Sequence, residues 1–454
     1  MPPGDAAGPT FAGRIRSPGR DATPGTVTLD ATAAILAADG APPRTVAYRD
    51  LAVLAISGGV GLVATGPGAD DERWLLEMFG AAAGPLVSAL RERRLRQRLA
   101  DAFVELPDGS PVDLVEYRAH GGTAEAGVAQ LAVDGWGATL APIDERLPVR
   151  RLRRAAIGQV EFVPEVGGVR VVAGDDGFDL LRLGPAAARH RQRLADLPAG
   201  AHRDSGAILA RLVPDLAPLV AGRAAAALVD GRPASAGDLG DGWQTVERSV
   251  LSEPTFAASY VALRNRAGGS AALRWLALAP ERPGATERHR AWFLVALPGN
   301  LVALELVSEG AHATYCFRAA PRAGFTGGSD LAGIDAAAAA WTVALVSNAL
   351  VDARFLREPI ALPDDQLATP KGVRYRLALR ALPALAAARA AFVGRLVHRD
   401  EASWGAALDN LIAWHGACRD ELAVWPGRAV QEAEVADAGG DDGGGAAGGA
   451  GAAG

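Results

Sequence analysis

Cysteine is scarce, with two in 454 residues. That excludes a disulfide scaffold. Lysine is scarcer still. Of 46 basic residues only Lys371 is lysine, and the rest are arginine. With so much alanine and glycine, this reflects the coding bias of a GC-rich genome more than selection for guanidinium chemistry. Positive charge is not in excess. The formal net charge of −6 argues against non-specific nucleic-acid binding by the whole chain. Long apolar runs are missing too. The best stretch, Ala336 to Leu350, is short, alanine-rich and bounded by Asp335 and Asp352, with Asn348 inside. A spanning helix needs about 20 apolar residues, so the stretch reads as a buried helix of a soluble protein. The start, Met-Pro-Pro-Gly-Asp, has neither a basic nor an apolar signal region. A cytoplasmic location is the expectation.

Catalytic motifs are absent as well. There is no GxxxxGK[ST], and Lys371 is in no phosphate loop. No GxGxxG follows a strand and opens a helix, and no GxSxG, HExxH or kinase set occurs. The sequence therefore points to no catalytic residue, no metal and no cofactor.

What is present is an ordinary globular composition, 49% hydrophobic and 22% charged. The length suggests about three domains at ~150 residues each. An internal repeat organises the first part. Gly58-Gly59-Val60 opens GGVGLVATG, and Gly167-Gly168-Val169 opens GGVRVVAGD. Gly84-Pro85 is matched by Gly184-Pro185. Arg96 to Asp101 recurs letter for letter as Arg191 to Asp196. Three matches in one order argue for a duplicated unit of roughly 100 residues. A period that long means tandem globular domains, since solenoid units run ~20–50 residues.

Each unit holds short strand-like runs and then one helix. In the first the runs are 26–29, 45–48, 53–56, 60–63 and 73–78, with a Gly-Gly hairpin turn between two of them. A helix follows from Leu86 to Leu99, opened by Pro85. In the second unit the runs are 128–131, 138–140, 146–149, 160–163, 169–173 and 178–183, with a helix from Pro185 to Leu194. Antiparallel strands closed by a C-terminal helix make a small barrel or sandwich whose apolar end the helix plugs. The step Tyr48-Arg49-Asp50-Leu51 before the Gly-Gly hairpin, then Gly-Pro and a helix, resembles a pleckstrin-homology-like (PH-like) unit. The resemblance covers about the first 200 residues. The whole chain also resembles bacterial proteins built from such tandem units, and brings no assigned activity with it.

Pro198 to Gly240 reads as a linker with a helix from Ser205 to Ala227. Beyond Gly242, Ala291 to Leu297, a Pro298-Gly299-Asn300 turn and Leu301 to Val307 form a hairpin, followed by a strand at Thr314 to Phe317. Asp335 is placed to cap a helix from Ala336 to about Phe355. This order suggests a third, diverged unit. Leu385, Ala388, Phe392 and Leu396 suggest one more helix, and Trp404, Leu408, Leu411, Ile412 and His415 another, ending at Gly416. From about Gln431 the chain is Ala/Gly/Asp and should be disordered. The expected fold is α+β. It has PH-like units at 1–100 and 101–198, a helical linker at 199–240 and a third β-rich unit with a helix at 241–365. C-terminal helices at 366–427 and a disordered tail at 428–454 complete it.

Two arginine clusters stand out. The first helix carries Arg91, Arg93, Arg94, Arg96 and Arg98. Leu86 and Leu90 share one face, and Leu95 and Leu99 lie about opposite, so Arg91, Arg94 and Arg98 line a flank between two apolar surfaces. Arg150, Arg151, Arg153 and Arg154 form the second cluster, a candidate for phosphate or acidic partners. Members of the resembled family use basic residues on early strands, whereas this cluster lies mid-unit. For both clusters a solvated face is the simpler account. The His312/Cys316 and His415/Cys418 pairs lack the ligand count of a zinc site and the orienting group of a nucleophile. Asp70-Asp71-Glu72 and Asp175-Asp176 fit hairpin tips. Trp275, Trp292 and Trp341 read as core. The expected function is a non-enzymatic interaction or scaffold module with a protein partner. Binding to anionic lipid headgroups through the arginines, and an enzyme site in the third region, are the alternatives.

Overall fold

The computed structural model describes residues 8–56, 59–64, 72–104, 113–120, 125–144, 147–174, 176–251, 254–268, 270–307, 313–319, 335–398, 401–417 and 425. The expected tail and the acidic tip at residues 70 and 71 lie outside them. Backbone contacts divide the chain into two compact units, Met1–Pro111 and Val112–Gly454.

The first unit is built from β1 (Thr10–Arg16), β2 (Thr23–Leu29), β3 (Ala33–Ala38), β4 (Arg44–Ala47), β5 (Leu51–Ile56), β6 (Gly59–Ala64) and β7 (Glu72–Glu77). They form one antiparallel sheet in the order β4-β3-β2-β1-β7-β6-β5. Helix α1 (Ala83–Asp101) follows and sets Leu86 and Leu90 into a core with Ile15, Val27, Leu36 and Leu76. Alternation explains the strands: in β1, Phe11, Gly13 and Ile15 turn inward while Ala12 and Arg14 face out.

The second unit opens with the same construction. Strands β8 (Asp113–His120), β9 (Ala126–Asp134), β10 (Gly137–Pro142), β11 (Arg150–Arg153), β12 (Gln159–Val163), β13 (Gly168–Ala173) and β14 (Asp176–Leu181) pair in the order β11-β10-β9-β8-β14-β13-β12. Helix α2 (Ala187–Leu212) then places Ala187 and Leu194 in the sheet's core. The turn into the helix is duplicated too. Met78 and Gly80 have φ of 54° and 53°, and Arg182 and Gly184 repeat those values.

The duplication is real, but two of its three letter matches are out of phase. The helices start at Ala83 and Ala187, 104 residues apart. Gly184 therefore corresponds to Gly80 and not to Gly84. The identical hexapeptides at Arg96 and Arg191 sit at different points along the two helices. Only the Gly-Gly-Val match falls on equivalent strands, β6 and β13. The solvent side of a helix rich in Arg and Ala repeats short words by composition alone.

The second unit does not end near residue 198. Helix α2 runs through Pro198 to Leu212, and its far half carries Ile208 and Leu209 into another core. One helix thus serves two sheets, with Pro198 in its interior between the two packed stretches. After it come α3 (Pro218–Ala227), β15 (Ala234–Ser235), α4 (Ala236–Leu239), α5 (Trp243–Val250) and α6 (Pro254–Arg266). Strands β16 (Arg274–Arg282), β17 (Ala285–Leu297), β18 (Leu301–Val307) and β19 (Ala313–Arg318) lead to α7 (Ala336–Asp352). The chain ends in α8 (Glu358–Ala361), α9 (Asp364–Ala368), α10 (Val373–Ala381), α11 (Pro383–Ala391), β20 (Phe392–Val397) and α12 (Glu401–Ala417).

This third sheet is a six-stranded antiparallel meander, β15-β16-β17-β18-β19-β20. Its strand order differs from the seven-stranded pattern, so it is not a third copy. It is covered on both faces, which makes its strands continuous apolar runs. Phe293 and Val295 face the helices α2, α3, α5, α6 and α12. Trp292 faces α7 and donates its indole N–H to Ser347 Oγ at 3.1 Å. Asp335 caps α7 as expected, accepting from the Ala337 and Ala338 amides. Phe392 to Val397 is a strand and not the end of a helix. Phe, Val and Leu around a flat glycine pair with β19 there, and Phe392 packs on Phe317. Trp275 and Trp292 are core, whereas Trp341 is exposed on α7. Among the described residues no helix is long and apolar enough to cross a membrane.

Candidate functional site

The arginine run 150–154 is an internal mortise. The structure makes it the edge strand β11 and the turn that follows, one step later than the strand expected at 146–149. Arg154 is 3% exposed, with Nη1 2.7 Å from Asp204 of α2 and Nη2 3.1 Å from Asp230. Arg153 reaches the Asp230 carbonyl and Asn348 of α7. Arg151 lies 3.8 Å from Asp134 and 3.9 Å from Asp352. Arg150 pairs with Glu125 at 3.0 Å. Arg354 joins from beyond α7, 3.1 Å from Asp134, and lies over the Trp136 ring, as Arg154 does. Burial pushes the Asp352 carboxyl up, and Arg151, Arg153 and Arg354 pull it back. Carboxylates of the second sheet (Glu125, Asp134), of α2 (Asp204) and of the third region (Asp230, Asp352) hold these guanidinium groups. A phosphate would have to displace those partners.

On α1, Arg91 is exposed while Arg94 and Arg98 are half-buried. Burial raises the Asp50 carboxyl above its ordinary value, and Arg49 and Arg94 offset part of that rise. His312 and Cys418 lie outside the described residues. Cys316 is fully buried and its thiol is pushed up to about 12, so it is not a reactive thiolate. Among the described residues no group of three His, Cys, Asp or Glu side chains is placed to hold a metal ion.

The third region hides a polar knot that the sequence reading missed. Glu305 of β18 is fully buried in a core face, and its carboxyl is pushed up to about 8 by burial. Thr314 donates to it at 2.6 Å, and Trp404 of α12 donates to Thr314 at 3.0 Å. His398, just past β20, has Nε2 2.8 Å from Thr314 Oγ1 and 3.4 Å from Glu305 Oε1, and Nδ1 3.0 Å from Ser259 of α6. The knot ties two helices to three strands. A single acid at an inward position of the run LVALELV was the available signal.

A feature that can receive a ligand lies among the described residues of the second unit. The β8–β14 ladder stops at Glu116↔Leu181. There the chain leaves the sheet at Arg182 and turns into α2, while β8 continues back to Asp113. A wedge of about 380 Å³ opens between them, lined by Asp113, Leu114, Val128, Leu183, Arg189 and His190, among others. Its mouth is apolar: Leu114 is 63% exposed and Val128 41%. Its floor is polar. The His190 side chain is 2% exposed, with Nε2 3.8 Å from Asp113 Oδ2. Burial lowers the His190 imidazole from its ordinary value, Asp113 opposes this, and Arg189 and Arg193 add to it. Arg189 and Arg193 reach Asp113 at 3.0 and 3.5 Å, and Arg182 reaches Glu116 at 3.2 Å.

The first unit shows the same corner closed. The ladder equivalent to Glu116↔Leu181 is Arg14↔Glu77. Phe11 therefore stands where Asp113 does, Ala12 for Leu114, Gly13 for Val115 and Pro24 for Val128. On the helix side, Phe79 stands for Leu183 and Leu86 for His190. Phe79 fills the wedge and lies so close to Gly13 that a Cβ there would come within 2.5 Å of its ring. Compared with protein-family models and with curated proteins, this chain matches none.

Proposed function

We propose that the chain is a non-enzymatic protein-interaction module built on two PH-like units, and that the wedge of the second unit takes the partner. The repeated seven-strand order closed by a helix supports the PH-like reading. One observation carries the functional reading. The same corner is packed shut in the first unit, yet in the second it is open, with leucine and valine exposed at its mouth and histidine and aspartate on its floor. Exposing large apolar groups and burying polar ones both cost folding energy. A sequence that does both at one place is organised for contact with something else. The arginine run, held by internal carboxylates, gives no comparable support to lipid binding.

The test is selection of random peptides displayed on phage against the immobilised full-length chain, with Leu114→Arg as the counter-target. Leu114 is on the outer face, so the variant should fold. The expected result is convergence on a motif that the variant does not retain. Failure to enrich over bare matrix, or a motif indifferent to Leu114→Arg, overturns the reading.

A further inference from the structure

The polar knot of the third region, apart from the wedge, is a chain of hydrogen bonds whose protons can be placed. Thr314 Oγ1 stands at its centre with three partners: Trp404 Nε1 at 3.0 Å, His398 Nε2 at 2.8 Å and Glu305 Oε2 at 2.6 Å. A hydroxyl has one proton and two lone pairs, and an indole only donates. Trp404 therefore occupies one lone pair. One proton and one lone pair are left for Glu305 and His398. Two arrangements satisfy all three contacts. When Glu305 is ionised, Thr314 donates to it and His398 must donate from Nε2. The neutral imidazole then accepts at Nδ1 from the Ser259 hydroxyl, 3.0 Å away. When Glu305 carries a proton on Oε2, it donates to Thr314 and Thr314 donates to His398 Nε2. The ring proton must then sit on Nδ1 and donate to Ser259. All four contacts are of hydrogen-bond length. Glu305 Oε1 has no hydrogen bond among the described residues, so the carboxyl proton belongs on Oε2.

The two arrangements differ by one proton. It enters at the His398 end, since that side chain is 14% exposed and Glu305 is fully buried. Held at Nδ1, it would make an imidazolium beside an ionised carboxylate, two charges kept from water. Passing the Nε2 proton to Thr314, and the Thr314 proton to Glu305 Oε2, neutralises both. One proton is taken up, and no heavy atom has to move. We propose that Ser259, His398, Thr314 and Glu305 form a proton relay, in which a solvent proton comes to rest on the buried carboxyl while His398 stays neutral and exchanges one tautomer for the other. Burial favours that end point, since it raises the Glu305 carboxyl to about 8. Cys316 and Tyr315 of β19 are the other titratable groups that feel the charge of Glu305 among the described residues, and burial raises both. Strand β17 sets Phe293 opposite Glu305. Helices α6 and α12 bring the Arg266–Asp409 ion pair, with Arg266 over the Trp404 ring. In the protonated arrangement Ser259 no longer spends its proton on His398, so the state of the carboxyl reaches α6.

The experiment records long-range proton–nitrogen NMR correlations of the full chain labelled with nitrogen-15 histidine, from pH 9.5 down to pH 7. His398 is assigned by the signal lost in His398→Gln. At the alkaline end Nε2 should show the shift of a protonated nitrogen and Nδ1 that of a bare one. As pH falls through about 8 the two should trade places, moving in opposite directions. In an ordinary imidazole titration the bare nitrogen moves to the protonated shift and the other stays there. Glu305→Gln has no carboxyl proton to gain and should hold His398 in one tautomer throughout. Thr314→Ser keeps the hydroxyl and should keep the exchange, whereas Thr314→Val should abolish it. If the valine variant does not fold, Glu305→Gln alone decides. Two protonated nitrogens at pH 7, one unchanging tautomer in the natural chain, or an exchange that survives Glu305→Gln overturns the proposal.

Discussion

Two copies of one corner were treated in opposite ways. In the first unit Phe11, Phe79 and Leu86 belong to one core, Phe79 lies against Gly13, and the space between the first strand and the helix start is spent on packing. In the second unit Asp113, Leu183 and His190 take those places, and the space stays open. The topology and the turn into the helix are the same, down to the paired left-handed residues. A fold therefore sets where a pocket can be, and a few side chains set whether there is one. The second difference lies at the other edge. The second unit's edge strand β11 is locked to the third region by buried ion pairs, whereas the first unit closes by itself.

The largest expected effect tests that lock. Arg154→Ala strips the buried carboxylates Asp204 and Asp230 of a shared partner and should cost about 3–5 kcal/mol in chemical denaturation. The partly exposed Arg49–Asp101 pair of the first unit offers the contrast. Arg49→Ala should cost about 1 kcal/mol or less. Similar losses for the two would remove the distinction drawn between the edges.

The corners can be compared the same way. Phe79→Ala deletes a buried ring and should cost about 3–5 kcal/mol. Leu183→Ala lines an open wedge and should cost about half of that or less. If the leucine proved as costly as the phenylalanine, the second corner would be a packed core after all.

A smaller effect is a matter of pH. Glu305 has its carboxyl raised to about 8 in the folded chain, above its ordinary 4.5. Its contribution is fully present below 4.5 and is lost as pH rises toward 8. Glu305→Gln should flatten this slope while keeping an acceptor for Thr314. His190 works in the opposite sense. Its imidazole is lowered from its ordinary 6.5, so stability is complete above that pH and declines as pH falls below it. His190→Leu, which restores the first unit's side chain, should remove that acid sensitivity, read from melting temperatures between pH 7 and 5. Smallest of all, Arg91→Ser on the exposed flank of α1 should stay within about 0.5 kcal/mol.

Much of the fold was legible in the letters. Where one face is apolar and one is wet, the period shows. The hairpin of β17 and β18, the Asp335 cap and the stripe of Trp404, Leu408 and Leu411 on α12 all follow from local pattern. Strands β1, β3 and β8 were not foreseen. Threonine, glycine and alanine dilute β1 and β3, and in β8 the adjacent pair Leu114-Val115 puts an apolar residue on the wet face and breaks the alternation. At β20, apolar residues three and four apart suit a helix and a two-sided strand equally, and only pairing with β19 decides. Nothing of the wedge was legible, because it depends on where a ladder stops and on which residue of each copy faces which.

The sequence by itself determined that this chain is built from strands and helices, that its first 200 residues repeat one construction, and that no short catalytic motif is present. Those are properties of period, composition and spacing, which neighbouring residues carry. Tertiary structure alone decided what surrounds the arginines and the histidine. Arg154 reads as surface charge until Asp204 and Asp230 arrive from 50 and 76 residues away. His190 reads as one more polar residue on a helix until β8 brings Asp113 beneath it. A charge takes its meaning from its partners and its burial, and both are assembled by the fold.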